Sequence, residues 1–262
     1  MNKKLSVILP TIRKERLAKL YESFEKSFSG EWELIIVSPY DLPEEMKEKT
    51  NILYIQDWGN PVRCQQLGLL ASTGGYIHRA VDDSLYLPGT MDRAFQKLEG
   101  KIREVVIGIK YTESNATVDR SHPAFQNMNN PDFYNLTHHH QTLKPYVPAH
   151  FKMINFGIFD AQFLREVGGW DCQFESVAIA ELDLAIRLQM NWGEVVLSDD
   201  IVLECDWMPG HEGDHGPMHD AFAPDMEKYS QIYSSPTCED RIVIDLYNCD
   251  QSPKKWARRF GQ

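Results

Sequence analysis

Short apolar runs of Val, Ile and Leu, alternating with segments of helical periodicity, constrain this fold more than any other feature of the sequence. Leu5–Leu9 closes at Pro10, and Leu34–Val37 ends at Ser38-Pro39. Asn51–Ile55 follows, and Tyr76–Val81 rises from the Gly74-Gly75 turn. Between the first two runs, Leu17, Leu20, Tyr21, Phe24 and Phe28 recur at the three-and-four spacing of one apolar helical stripe. Pro61 opens a second helical segment through Ala71. Near-continuous apolar strands are buried on both faces, and helical crossovers between them make a parallel sheet. A helix over Thr90–Leu98 and a strand over Val105–Ile109 continue the pattern.

Periodicity is lost over residues 111–150, which are rich in Asn, His, Pro and Thr. His138-His139-His140 falls there and reads as a polar surface loop, since consecutive His side chains do not converge on one ion. Regularity returns with a strand over Lys152–Phe159 and a short helix through Phe163 and Val167. Gly168-Gly169-Trp170-Asp171 then leads to a helix over Val177–Asn191, with Ile179, Leu182, Ile186 and Met190 as its stripe. Glu181 and Asp183 lie on that helix two positions apart, so they cannot face each other as a dyad. Strands are expected near Val195–Leu197 and Ile201–Glu204, and a loop over Trp207–His219. His211-Glu-Gly-Asp-His215 matches H-E-x-x-H in letters, but Pro209-Gly210, Gly213 and Gly216-Pro217 oppose the helix that a zinc protease needs.

With 38 acidic and 27 basic residues the net charge is −11, which argues against a nucleic-acid partner. Cys64, Cys172, Cys205, Cys238 and Cys249 are odd in number and form no C-x-x-C pair, so neither a disulfide framework nor a structural zinc site is expected. No window reaches the apolar length of a membrane span. A soluble, cytoplasmic protein is expected, without stable membrane insertion. The segment Ser252–Phe260, basic with aromatics between the charges, reads as a solvated terminal stretch.

The candidate site begins at Asp82-Asp83, where the fourth run ends. Open α/β sheets bind ligands beyond the carboxyl ends of their strands, and Mg²⁺ or Mn²⁺ takes carboxylates plus ligand phosphates. An Arg on a neighbouring element, such as Arg63, would help to neutralise a departing diphosphate. A carboxylate distant in sequence could act as general base toward an attacking hydroxyl.

In this order, Ser6–Thr11, Glu33–Val37, Arg63, Gly74–Ile77, Val81-Asp82-Asp83, Pro88, Gly168–Asp171 and Glu181–Leu188 resemble a family 2-type glycosyltransferase of GT-A fold. The resemblance spans about residues 5–190. It implies one α/β domain over 1–262, with a mostly parallel central sheet and helices on both faces. A nucleotide-sugar half would occupy about 1–100 and an acceptor half with a flexible loop about 101–230; 231–262 would be a C-terminal extension. By resemblance, Pro10, Thr11 and Arg13 lie by the nucleoside and Arg63 faces the diphosphate. Asp83 is then the metal ligand and Asp82 a ribose or metal contact. Gly169, Trp170 and Asp171 border the acceptor, and Glu181 is the base. His215 or another His of the 211–219 loop would complete a Mn²⁺ or Mg²⁺ site.

The implied reaction moves a sugar from a nucleoside-diphosphate sugar, most simply a UDP-sugar, to a hydroxyl of a saccharide or other acceptor, with inversion. The sequence departs from the family pattern at Ser38-Pro39, Val81 and Ala180, where acidic residues are usual. A nucleotidyltransferase and a nucleotide-sugar-binding protein on a degenerate transferase fold are the alternatives.

Overall fold

A computed structural model describes residues 3–113, 138–140, 150–152, 154–205, 216–235 and 237–252. The first strands are β1 (Leu5–Pro10), β2 (Trp32–Ser38), β3 (Ile52–Gln56), β4 (Tyr76–Arg79), β5 (Ser84–Tyr86) and β6 (Val105–Glu113). The others are β7 (His138–His140), β8 (His150–Lys152), β9 (Gly157–Asp160) and β10 (Glu194–Cys205). The helices are α1 (Leu17–Ser27), α2 (Glu44–Lys47), α3 (Pro61–Ala71), α4 (Thr90–Gln96), α5 (Ala161–Glu166), α6 (Val177–Met190) and α7 (Gly216–Tyr233).

Eight strands form one sheet in the order β3-β2-β1-β4-β9-β6-β10-β5. The pairs β3–β2, β2–β1, β1–β4 and β6–β10 are parallel. The inserted β9 and the short β5 are antiparallel to their neighbours. The expected mostly parallel sheet is therefore observed, with two antiparallel members: the short β5, and β9, which follows the stretch where periodicity is lost.

Strand geometry divides the core in two. Ile8, Ile35, Val37 and Ile77 pack on one face with α3, α5 and α6. Their sequence neighbours Val7, Leu9, Leu34 and Ile36 pack on the other with α1 and α4. Period two with both faces apolar is why these strands read as continuous hydrophobic runs. On β4 the same alternation directs Arg79 to the face of Ile77. It directs His78 to the other face, where the ring stacks on Phe24.

His78 is fully buried, with Nδ1 2.9 Å from the Gly157 carbonyl and Nε2 2.7 Å from the Tyr86 hydroxyl. Burial pushes its pKa down to about 4. The ring is therefore neutral: Nδ1–H donates to the carbonyl, and Nε2 accepts from the hydroxyl.

Glu33 ties the opposite, amino-terminal edge of the parallel strands together. It accepts hydrogen bonds from Lys4, Ser6 and Thr73 at 2.6–3.0 Å. Burial alone would raise its pKa, but these donors outweigh it and hold the carboxyl at about 2, below its ordinary 4.5. A depressed carboxylate stabilises the fold above its unfolded pKa, and that contribution disappears as pH falls toward the folded value. Glu33→Gln is expected to lower the denaturation midpoint at neutral pH and to flatten its fall between pH 4.5 and about 2. Urea titrations across that range measure it; a variant curve parallel to wild type would refute the assignment.

Several expectations are corrected. The His triplet is a strand paired antiparallel with His150–Lys152. The two strands expected around residues 195–204 are one, bent near Ser198, where the register with β6 shifts. Ser198 Oγ fills that irregularity by accepting from the Lys110 amide at 2.9 Å and donating to the Asp200 carbonyl at 3.0 Å. The expected loop ending at His219 gives way to α7 from Gly216. Among the described residues, no helix is long and apolar enough to cross a membrane.

Candidate active site at the carboxyl edge of the sheet

β1 and β4 run side by side and end at the same edge, next to the point where the chain crosses from one side of β1 to the other. That is where an open α/β sheet forms its ligand crevice. Beyond Pro10, the Thr11 amide continues the ladder by donating to the Val37 carbonyl at 3.0 Å. Thr11 Oγ1 donates to Asp82 Oδ2 at 2.6 Å and accepts from the Arg13 amide at 3.0 Å. Arg13 Nη1 forms an ion pair with the other oxygen, Asp82 Oδ1. Asp82 is thereby satisfied on both oxygens.

Asp83 differs. Val81–Ser84 is a tight turn closed by Ser84 onto the Val81 carbonyl. Among the described residues no other side chain bonds or ion-pairs with Asp83. Burial, reinforced by the Asp82 charge, pushes its carboxyl up to about 6 against the pull of Arg13 and Arg16. The pair thus sits in a turn and also at the crevice. Of the two, Asp83 is the carboxylate left for a ligand.

Glu181 reaches this region from α6. The start of α6 is held by Asp225 of α7, whose Oδ2 accepts the amides of Glu175 and Ser176 at 2.6 and 2.7 Å. Glu181 is buried, and Trp170 Nε1–H donates to its Oε1 at 3.1 Å. Arg79 Nε lies 3.4 Å from the same oxygen. Oε2 has no partner among the described residues. Burial pushes the carboxyl up to about 7, with Arg79 and the Trp170 hydrogen bond opposing. Since Arg79 lies three residues before Asp82, it brings the Glu181 carboxylate to the strand that ends in the acidic turn.

Asp183 turns away from this site, as helix geometry required. It accepts from Arg187 Nε at 2.8 Å, Tyr233 OH at 2.7 Å and Arg241 Nη2 at 3.0 Å. These cations hold its carboxyl below the ordinary value despite full burial.

The Gly168–Asp171 turn joins the site through Trp170. Gly168 and Gly169 have φ of +89° and +68°, conformations that favour glycine. A Cβ on Gly168 would meet the Ile244 carbonyl at 2.3 Å. Arg187 donates to the carbonyls of Val167 and Gly169 at 2.7 and 2.6 Å. Gln66 Nε2 donates to Gly168 O at 3.0 Å and Leu246 O at 2.7 Å, while its Oε1 accepts from the Trp170 amide at 2.8 Å. Asn248 Oδ1 accepts from the Cys172 amide at 2.8 Å, and Asp171 pairs with Arg241. Residues 241–252 therefore form a strap across the turn. Trp170 and Asp171 are buried; Trp170 reaches the site through its hydrogen bond to Glu181, and Asp171 pairs with Arg241 of the strap.

Arg63 also has other partners. Its Nε lies 3.1 Å from both Asp57 oxygens, and Nη1 donates to the Cys249 carbonyl at 2.6 Å. The structure thus gathers Pro10, Thr11, Arg13, Asp82 and Asp83 at one edge and adds Glu181 through Arg79. It engages Arg63 with the strap. His215 lies outside the described residues. Arg79 and Asp57 carried no sequence motif; a lone cation inside an apolar strand run was the only signal for Arg79.

Among the described residues no three His, Cys, Asp or Glu side chains gather as a metal site. The unpartnered Asp83 nonetheless suits Mg²⁺ or Mn²⁺, which binds through one or two carboxylates and completes its shell with phosphates and water.

The sequence matches no protein-family model and no curated protein. Solved structures do match in fold. Residues 1–349 of S. aureus TarS in complex with UDP-GlcNAc align with a TM-score of 0.58 at 16% identity, over 94% of this chain and 72% of that one. The same fragment in complex with UDP aligns at 0.55 and 13% identity, over 99% and 92%. Against the longer TarS structure the match covers 91% of this chain and 41% of TarS, with a TM-score of 0.53 and 15% identity. Strand order, crevice and these alignments agree: the chain has the GT-A fold of family 2-type glycosyltransferases.

Proposed function

We propose that this protein is an inverting glycosyltransferase that moves a sugar from a nucleoside-diphosphate sugar to an acceptor hydroxyl. The observation that carries the reading is the state of Glu181. One of its oxygens is anchored, the other is unpartnered, and its pKa lies near neutrality beside the strand that ends in Asp82-Asp83. A general base needs that combination of free oxygen and matched pKa. The UDP-GlcNAc and UDP complexes of TarS support a UDP-linked donor.

In this reading the donor binds over about residues 1–100, against Pro10, Thr11, Arg13 and Asp82. The acceptor enters from about residues 101–230. The acceptor hydroxyl attacks the anomeric carbon from the face opposite the diphosphate, and Glu181 Oε2 takes its proton. As the new carbon–oxygen bond forms, the bond to the diphosphate breaks, and the nucleoside diphosphate leaves with the electron pair. Arg13 contributes positive charge near the departing group. A divalent cation held by Asp83 would supply further neutralisation there.

The test is a panel of nucleotide sugars with and without Mn²⁺, read by product formation, slow donor hydrolysis and the anomer of the product. Binding without turnover would leave a nucleotide-sugar-binding protein, and a retained anomer would remove the inversion. Asp83→Asn is expected to abolish the Mn²⁺-dependent part of the thermal shift produced by UDP. A shift equal to wild type would remove Asp83 as the ligand.

A further inference from the structure

Arg79 is a buried guanidinium that the proposed reaction does not yet use. It is the last residue of β4, and strand phase turns it to the face covered by α3 and α6. Nη1 donates to the Asn155 carbonyl at 2.8 Å, and the guanidinium lies 5.3 Å from the centre of the Phe156 ring. Nε is buried without a hydrogen bond and sits 3.4 Å from Glu181 Oε1, the oxygen that Trp170 also holds. A buried cation fixed by a carbonyl and an aromatic face, with its remaining edge toward one carboxylate oxygen, has no role in strand pairing.

Every other group around Glu181 can be set aside. Trp170, from the Gly168–Asp171 turn, does not titrate in this range. Asp183, on the same helix, faces the other way and is matched by Arg187 and Arg241. From β4 only Arg79 faces the carboxylate, and no other charged group among the described residues bears on it.

We propose that Arg79 is the positioning residue for Glu181: it holds the carboxylate by one oxygen and serves as the buried counter-charge that leaves the other oxygen anionic for the acceptor. This rests on the glycosyltransferase reading of the same site. The 3.4 Å contact is an ion pair without a hydrogen bond, so Arg79 attracts the carboxylate without occupying its lone pairs. Removing the cation leaves burial unopposed, and an opposite charge at this range is worth about one pH unit or more.

The experiment is the pH dependence of kcat/KM for sugar transfer in wild type, Arg79→Met, Arg79→Lys and Glu181→Gln, with donor KM and melting temperature measured in parallel. For Arg79→Met the acidic limb is expected to move up by about one pH unit, so the rate falls about tenfold on the acid side and recovers in alkaline buffer. Arg79→Lys is expected to keep the limb near its wild-type position at a lower kcat. A uniform loss at every pH, or a rise in donor KM with the limb unmoved, would overturn the assignment. If Arg79→Met does not fold, a limb in Arg79→Lys that has shifted as far as the carboxylate's own burial would drive it overturns the counter-charge role. If Glu181→Gln retains transfer, the base reading itself fails. If Glu181→Gln is inactive and the Arg79 variants keep the wild-type limb, only the Arg79 assignment fails.

Discussion

Glu181→Gln is expected to reduce sugar transfer at saturating donor by about 10²–10⁴-fold, the contribution of a positioned general base. The amide keeps the shape of the side chain and still accepts the Trp170 hydrogen bond through its oxygen, but it cannot take a proton. The acidic limb of the rate profile belongs to the carboxylate, whose pKa burial pushes up to about 7. Wild-type activity should therefore rise with pH through about 7, and residual activity in the variant should lack that limb. Stability should move the other way. A carboxyl whose folded pKa exceeds its unfolded 4.5 stabilises the fold below 4.5, and that contribution is lost as pH rises through about 7. The variant is thus expected to melt no lower than wild type in neutral buffer. Transfer within threefold of wild type at neutral pH would end Glu181's candidacy.

The second large effect concerns stability. Arg187→Met is expected to cost about 3–5 kcal/mol, because it strands a fully buried Asp183 with one of its cations removed. It also leaves the carbonyls of Val167 and Gly169 without their donor. For a chain of this size the melting temperature should fall by roughly 10 °C. Arg187→Lys should recover part of the loss, since an ammonium keeps the charge but cannot serve a carboxylate and two carbonyls with one planar fork. Calorimetry or urea denaturation reads the difference. A melting point within about 2 °C of wild type would mean that Arg241 and Tyr233 satisfy Asp183 without help.

What the sequence made legible follows from burial and period. The strands β1 and β2 were readable because both their faces are apolar, and α1 because one apolar stripe of it packs on the sheet; α6 is buried continuously over Ile179–Leu188, and its stripe was legible within that run. β5 is three residues of backbone pairing against the end of β10, too short for any period to register. α7 hides behind Gly216-Pro217 at its start and carries Pro224 within it. Residues 241–252 act through single polar contacts with distant carbonyls and amides, which leave no local pattern. The site was half legible on the same grounds. Asp82-Asp83 stands at a strand end that could be located; helix geometry showed that Glu181 and Asp183 could not share one site, and the resemblance chose Glu181 between them. The choice between arginines was harder. Arg63 stood in a recognisable context, whereas Arg79 meets Glu181 only because β4 and α6 pack together.

The strap over the glycine turn also has a bearing on biosynthesis. Gln66, the 168–172 turn, Arg187 and residues 241–252 meet from four separate stretches of chain, and the contact of Asn60 with Ser252 spans 192 positions. Residues 241–252 leave the ribosome after every strand of the sheet. Until they arrive, the Cys172 amide lacks its acceptor Asn248 and the Asp171 carboxylate, held locally by Gln173, lacks its cation Arg241. A nascent chain can thus complete its sheet and still lack a finished site, so the appearance of activity should lag the appearance of compact, protease-resistant structure.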